Sequence, residues 1–267
     1  MTAEITTVVE NLVYQKELIA EHGLSFYIET ADKRILMDTG QTDNFAFNAR
    51  KLGIDIRSVD YLVVSHGHYD HTGGTQVFLE QNNKAKIVLR PEALVPKYKG
   101  DKYVGMPGNL NIPEERTVYP DKLFEITNGV YILADIESHY PDDSHKSGFQ
   151  TIYGENLVPD PFIDELFLCV LSGKKLTVVS SCSHNGITNI IETAVQRLGK
   201  RVSTVIGGFH TKEADDKTIQ EITDFFNSSD IENIGICHCT GVDNYAKFKE
   251  YCNAHVFYNY TGRKVTF

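Results

Sequence analysis

Apolar, β-branched runs alternate with amphipathic stretches along most of the chain, the pattern of strands interleaved with helices. Residues 6–10, 24–29 and 34–37 predict strands, separated by turn signals at His22-Gly23 and Ala31-Asp32-Lys33. A 3.6-residue period over 43–52 predicts a helix that stops at Gly53. Residues 59–64 then form a continuous apolar run, the mark of a buried strand. From 166 onward the reading is regular. Strands at 166–171 and 176–181 flank the turn Ser172-Gly173-Lys174, a helix spans 187–198, a strand 202–206, a helix 215–226, a strand 233–237, a helix 244–251 and a last strand 255–260. Such alternation predicts an α/β fold with covered sheets.

Residues 91–164 break the rhythm. They are rich in Pro, Gly, Tyr and Lys, with strand character only at 117–126 and 130–134. Long loops inside a compact domain commonly carry function. The segment is therefore expected to be a lid or specificity insertion within one domain spanning residues 1–267.

Composition narrows the classes. No apolar run approaches the roughly 18 residues that span a bilayer, and the N-terminus lacks the basic and apolar regions of a secretory signal. Five scattered cysteines read as reduced thiols, so a cytoplasmic location is expected. The net charge of −10 argues against nucleic acid as a partner, which needs a basic surface. No membrane partner is expected either. A small anionic substrate stays open, because a bound metal supplies local positive charge.

The chemistry concentrates in His66-Gly67-His68-Tyr69-Asp70-His71, directly after the buried strand. Three imidazoles and a carboxylate in six residues offer the nitrogen and oxygen donors that Zn²⁺ takes near 2.0–2.2 Å. With ten histidines in 267 residues, that crowding is not expected by chance. Further donors follow later strands: His184 in Ser183-His184-Asn185-Gly186, His210 in Gly207-Gly208-Phe209-His210, and His238 in Cys237-His238-Cys239. Strand ends at one edge of an α/β sheet are where sites gather. Cys237 and Cys239 are expected to pack away from His238 by strand alternation. Lys97, Lys99, Lys102 and Arg90 read as a solvated surface, and Asp164-Glu165 as a solvated strand start or a feature of a subgroup. His22, His139, His145 and His255 match no motif and read as ordinary polar residues.

With Leu36-Met37-Asp38-Thr39-Gly40, these motifs resemble the metallo-β-lactamase superfamily over nearly the whole chain. The resemblance implies an αββα sandwich, two mixed β-sheets face to face with helices outside. It implies one zinc on His66, His68 and His184, a second on Asp70, His71 and His238, and a supporting role for buried Asp38. Asp70 is also expected to orient the attacking water, and His210 to act as a further ligand or catalytic group. The superfamily's bridging aspartate is missing, since Ile206-Gly207-Gly208-Phe209-His210 stands in its place. With Glu21-His22-Gly23-Leu24-Ser25, Cys182-Ser183-His184-Asn185-Gly186 and Cys237-His238-Cys239-Thr240-Gly241, this resembles the subgroup of dihydropterin–ribofuranosylaminobenzene phosphate synthase-like proteins.

The expected activity is zinc-dependent hydrolysis of a small molecule of ester type, with a lean toward phosphoesters, because zinc lowers the pKa of bound water to about 7. One or two ions are expected, and manganese or iron also suits such donors. Diiron relatives carry Glu where this chain has His68, which favours zinc over redox chemistry. The alternatives are a pterin-linked condensing enzyme and a non-catalytic metal-binding protein.

Overall fold

The computed structural model describes residues 3–108 and 110–266. Two compact units are present. One comprises Asp121–His145 and Phe167–Asn259, and the other the remainder of the described chain.

In the first, here the C-terminal unit, a seven-stranded mixed sheet runs in the order His255–Tyr258, Asn233–Ile236, Arg201–Gly207, Lys175–Ser180, Phe167–Ser172, Val130–Leu133 and Leu123–Thr127. The first four strands are parallel and the rest antiparallel. Parallel neighbours need crossovers, and helices Ile187–Leu198, Asp216–Ser228 and Val242–Tyr251 supply them. Ile187, Ile190, Ile191 and Ala194 make the buried stripe of the first helix, which ends where Gly199 takes the left-handed conformation that caps it. The stripe packs with Val178, Val205, Ile222, Phe226, Ile234 and Phe248 into one core. Because the four strands are parallel, their C-terminal ends, Ser180, Gly207, Ile236 and Tyr258, fall on one edge.

The N-terminal unit holds a second seven-stranded sheet: Lys264–Thr266, Glu4–Val9, Ser25–Glu29, Arg34–Met37, Tyr61–Val63, Lys86–Val88 and Thr117–Val118. Its pairing changes from antiparallel to parallel at Arg34–Met37. Helices Asn44–Lys51 and Thr75–Gln81 flank it, with Phe45, Leu62, Phe78 and Ile87 in its core. A four-stranded antiparallel sheet, ordered Asn156–Pro159, Phe149–Tyr153, Lys97–Lys99 and Lys102–Tyr103, completes the unit.

Residues 91–164 are thus shared among three sheets. The strand expected over 117–126 is two strands that belong to different sheets, with Pro120 at the break. Among the described residues no helix is long and apolar enough to cross a membrane.

Candidate metal centre

The N-terminal unit builds its donor set from Asp38 outward. This aspartate is fully buried and holds a left-handed backbone at φ 61°. Such a conformation in a non-glycine residue is costly and collects at functional sites. Its Oδ1 accepts from the Ser65 backbone N–H at 2.7 Å, and its Oδ2 accepts from Ser65 Oγ at 2.6 Å. His71 Nδ1 lies 2.8 Å from that same Oδ2. The Ser65 hydroxyl has one proton and gives it to Asp38, so the 2.9 Å contact between Ser65 Oγ and His66 Nδ1 requires His66 to donate. Both imidazoles therefore carry the proton on Nδ1 and a lone pair on Nε2, the form a metal requires.

Those lone pairs meet other donors. His66 Nε2 lies 3.0 Å from His68 Nδ1, close to the edge of about 3.3 Å expected around a tetrahedral ion with bonds of 2.0–2.1 Å. His71 Nε2 lies 3.8 Å from Asp70 Oδ2. Burial first, and then the neighbouring His71 and His68, hold the His66 imidazole well below its ordinary pKa, so it is neutral at physiological pH. The donor set therefore fits a divalent ion.

The loop between His66 and His68 is fixed from outside. A Cβ on Gly67 would fall 2.2 Å from the Ala93 carbonyl oxygen, so only glycine fits. The Gly67 N–H donates to Asp164 Oδ2 at 2.8 Å. Asp164 Oδ1 in turn accepts from Lys97 Nζ at 3.2 Å, and Asp160 Oδ2 accepts from it at 2.7 Å. Lys97 is 2% exposed. It is not part of a solvated surface, because Asp160 and Asp164 take up its ammonium group in the interior, whereas Lys99 at the end of the strand is exposed. Asp164 and Glu165 are likewise buried, contrary to a solvated strand start. Burial opposes the charge on Lys97, but the two carboxylates outweigh it and hold its pKa above the ordinary value. His68 packs in the same layer, stacked on Phe149 at 5.1 Å and edge-on to Phe162 at 5.5 Å.

His22 also belongs here rather than among bystanders, with Nε2 3.3 Å from Asp70 Oδ2. Glu21 beside it accepts from Gln41 N–H at 2.9 Å and Thr42 Oγ1 at 2.5 Å, which ties the segment to the loop after Asp38.

The C-terminal unit carries its donors along the parallel-strand edge. Ser183, His210 and His238 are all non-glycine residues in the left-handed region, with φ of 57°, 52° and 54°. His184 and His210 lie with ring centroids 4.1 Å apart. His184 Nδ1 is 3.2 Å from the His145 carbonyl oxygen, so it donates there and its Nε2 carries the lone pair. The His145 N–H donates back to the His184 carbonyl at 2.9 Å. His145 Nε2 sits 2.9 Å from Asp143 Oδ1, and Asp143 Oδ2 accepts from Thr188 N–H and Oγ1 at 2.9 and 2.8 Å. His145 is thus the clamp on His184, a role that no spacing in the sequence marks.

The strand alternation assumed for Cys239 does not hold, and its sulfur sits with Cys182 and His210. His238–Thr240 is a turn of 3₁₀ helix, so strand alternation does not apply. Cys237 is fully buried, but Cys239 Sγ accepts the His210 N–H at 3.3 Å. Burial opposes its ionisation, yet a hydrogen bond from Cys182 and the neighbouring His238 and His210 draw the thiol well below its ordinary range.

A set of candidate metal donors at strand ends, supported by buried carboxylates, is the arrangement of an α/β fold suited to a divalent ion, and comparison with known proteins places the chain in a family. The sequence profile of the metallo-beta-lactamase superfamily matches residues 18–157. The chain belongs to that superfamily and has its fold. It is 30% identical over 246 residues to the 7,8-dihydropterin-6-methyl-4-(beta-D-ribofuranosyl)-aminobenzene-5'-phosphate synthase of Methanocaldococcus jannaschii, covering 85% of this chain and 84% of the relative. A further protein of that organism, described as uncharacterized, is 30% identical over 256 residues, covering 93% and 95%. The solved structure of Tm1679, described as a metal-dependent hydrolase of the beta-lactamase superfamily, is 31% identical, covers 98% of both chains and aligns with a TM-score of 0.86.

Proposed function

We propose that the chain is a metal-dependent hydrolase of a small cytoplasmic substrate of ester type. Following the superfamily pattern, His66, His68 and His184 hold one divalent ion, and Asp70, His71 and His238 hold a second. Zinc is favoured by the nitrogen-rich donors, with manganese and iron as substitutes. The observation that carries the reading is the protonation pattern fixed by Asp38 and Ser65, which leaves Nε2 of both His66 and His71 as a lone-pair donor. A divalent ion held by these residues would supply Lewis acidity toward a substrate oxygen and would lower the pKa of bound water to about 7. The chain's own residues do the rest. Asp38 aims His71 directly and His66 through Ser65, Asp70 orients the attacking water, and Phe149 and Phe162 pack against His68.

An anionic, phosphoester-type substrate is supported by Lys99, whose Nζ lies 4.8 Å over the Phe149 ring that stacks on His68. Lys97 gives no such support, since Asp160 and Asp164 occupy its ammonium group. The deciding experiment is hydrolysis of bis(p-nitrophenyl) phosphate beside a simple aryl ester, before and after chelation and Zn²⁺ or Mn²⁺ re-addition. Turnover that vanishes on chelation and returns with metal is expected, and metal-loaded protein inert toward both refutes the reading.

A second reading, a pterin-linked condensing enzyme, is favoured by the identity to the synthase. Release of CO₂ from a hydroxybenzoate-type acceptor in the presence of a dihydropterin would select it.

A further inference from the structure

Three donors in the C-terminal unit stand outside the six ligands above. Cys182 follows the strand Lys175–Ser180, His210 follows Arg201–Gly207, and Cys239 lies in the turn after Asn233–Ile236. The three residues are far apart in sequence, yet one ligand atom of each lies within 4.8 Å of the other two. Around a tetrahedral ion with Zn–S bonds near 2.3 Å and Zn–N bonds near 2.0–2.1 Å, neighbouring donors sit about 3.4–3.8 Å apart. The cluster is therefore within a modest contraction of a coordination shell.

The surrounding backbone holds it there. The His210 N–H donates to Cys239 Sγ at 3.3 Å, the kind of contact a thiolate ligand accepts. A Cβ on Gly208 would lie 2.6 Å from that sulfur, so glycine at this position makes room for Sγ. The two loops are locked together beside the cluster, where Phe209 N–H donates to Thr240 Oγ1 at 2.9 Å and Lys212 N–H to the Cys239 carbonyl at 3.2 Å. His210 holds its left-handed backbone within this lock. Simple packing of small apolar side chains does not call for an imidazole beside two sulfurs.

We propose that Cys182, His210 and Cys239 form a thiolate-containing site for a soft divalent ion such as Zn²⁺, Co²⁺ or Cd²⁺. Two thiols and one neutral imidazole bind the ion, two protons leave to solvent, and no oxidation takes place. The remaining coordination position is open to water or a further protein donor. Hard ions such as Mg²⁺ and Mn²⁺ are excluded by the sulfur ligands. The site gives His210 a role of its own and stands whether or not the histidine and aspartate centre is hydrolytic.

The test is Co²⁺ titration of the metal-free full chain, reduced and handled anaerobically. Sulfur ligation gives an intense near-ultraviolet sulfur-to-cobalt charge-transfer band, whereas a site of nitrogen and oxygen donors gives only weak visible d–d bands. The expected result is the near-ultraviolet band in the parent protein, its retention in Cys252→Ser and its loss in Cys182→Ser and Cys239→Ser. The parent spectrum decides the matter even if a variant fails to fold. Absence of the near-ultraviolet band at saturating Co²⁺ overturns the proposal, with or without d–d bands. A Cys182–Cys239 disulfide that persists in the reduced preparation, detected by mass spectrometry, overturns it as well. Failure of the hydrolysis assays with the charge-transfer band present would refute the hydrolase reading alone.

Discussion

Replacing Lys97 by Met tests whether the buried ionic set holds the first histidine loop. The side chain is 2% exposed, and its Nζ is the cation shared by Asp160 and Asp164. Methionine keeps the length and removes the charge, which leaves two carboxylates facing one another in the interior. Breaking a buried pair from one side costs about 3–5 kcal/mol. With a urea m-value of about 3 kcal/mol/M, at the upper end for a chain of this length, the midpoint should fall by about 1–2 M. The chain has no tryptophan and 14 tyrosines, so far-ultraviolet circular dichroism or tyrosine fluorescence is the suitable probe. The defect should depend on pH with a definite sign. Burial holds the Asp164 carboxyl above its unfolded value even in the parent, and loss of Lys97 raises it further. A raised folded pKa means that the protonated form suits the fold and that instability grows as pH climbs past about 3.9. The midpoint gap between variant and parent should therefore narrow on acidification toward pH 4. Adding Asp160→Asn and Asp164→Asn to Lys97→Met should recover most of the loss at pH 7. A midpoint within about 0.3 M of the parent at pH 7 would refute the argument, since a buried charge pair cannot be broken at that cost.

The sequence carries the strand and helix alternation so plainly that helix Ile187–Leu198 is legible to the residue. Its apolar stripe and Gly199 both lie within a few positions of one another, where local periodicity operates. The metal loop is legible for the same reason, because four donors crowd into six residues. What escapes is whatever depends on a partner far along the chain. Lys97 reads as a surface lysine until Phe149–Tyr153 pairs with Lys97–Lys99 and brings Asp160 and Asp164 beside it, more than sixty positions away. The strand Lys264–Thr266 has no signal of its own and exists because Glu4–Val9 offers an edge. His145 shows why motif spacing misses supporting residues. Its backbone carbonyl positions His184, and any residue type supplies a carbonyl. The company Cys239 keeps was not legible because a strand period does not extend into the turn at His238–Thr240.

Three further perturbations probe the centre itself. Asp38→Asn keeps the shape but weakens the acceptor shared by Ser65 and His71, and supporting residues of this kind typically cost 10–100-fold in metal affinity. Competition with a chromophoric chelator measures this, and parent-like affinity would remove Asp38 from the site. Gly67→Ala places a methyl 2.2 Å from the Ala93 carbonyl oxygen, a backbone neighbour that cannot swing aside. A loss of about 1–3 kcal/mol is expected, read as a lower urea midpoint, and a variant as stable as the parent would show that the loop moves freely. The last perturbation is removal of the metal. An ion that binds only the folded chain stabilises it by RT ln(1 + [L]/Kd), about 2.7 kcal/mol at a hundredfold excess over Kd. For a chain of this length each kcal/mol moves Tm by about 2–4 °C, so chelation should lower Tm by about 5–10 °C. His68→Ala should weaken that response without abolishing it, because it removes the nitrogen that lies 3.0 Å from His66 Nε2 and leaves the other proposed sites intact. If the variant kept the full metal-induced shift, the stabilising ion would be bound elsewhere, and the assignment of the first site to His66 and His68 would fall.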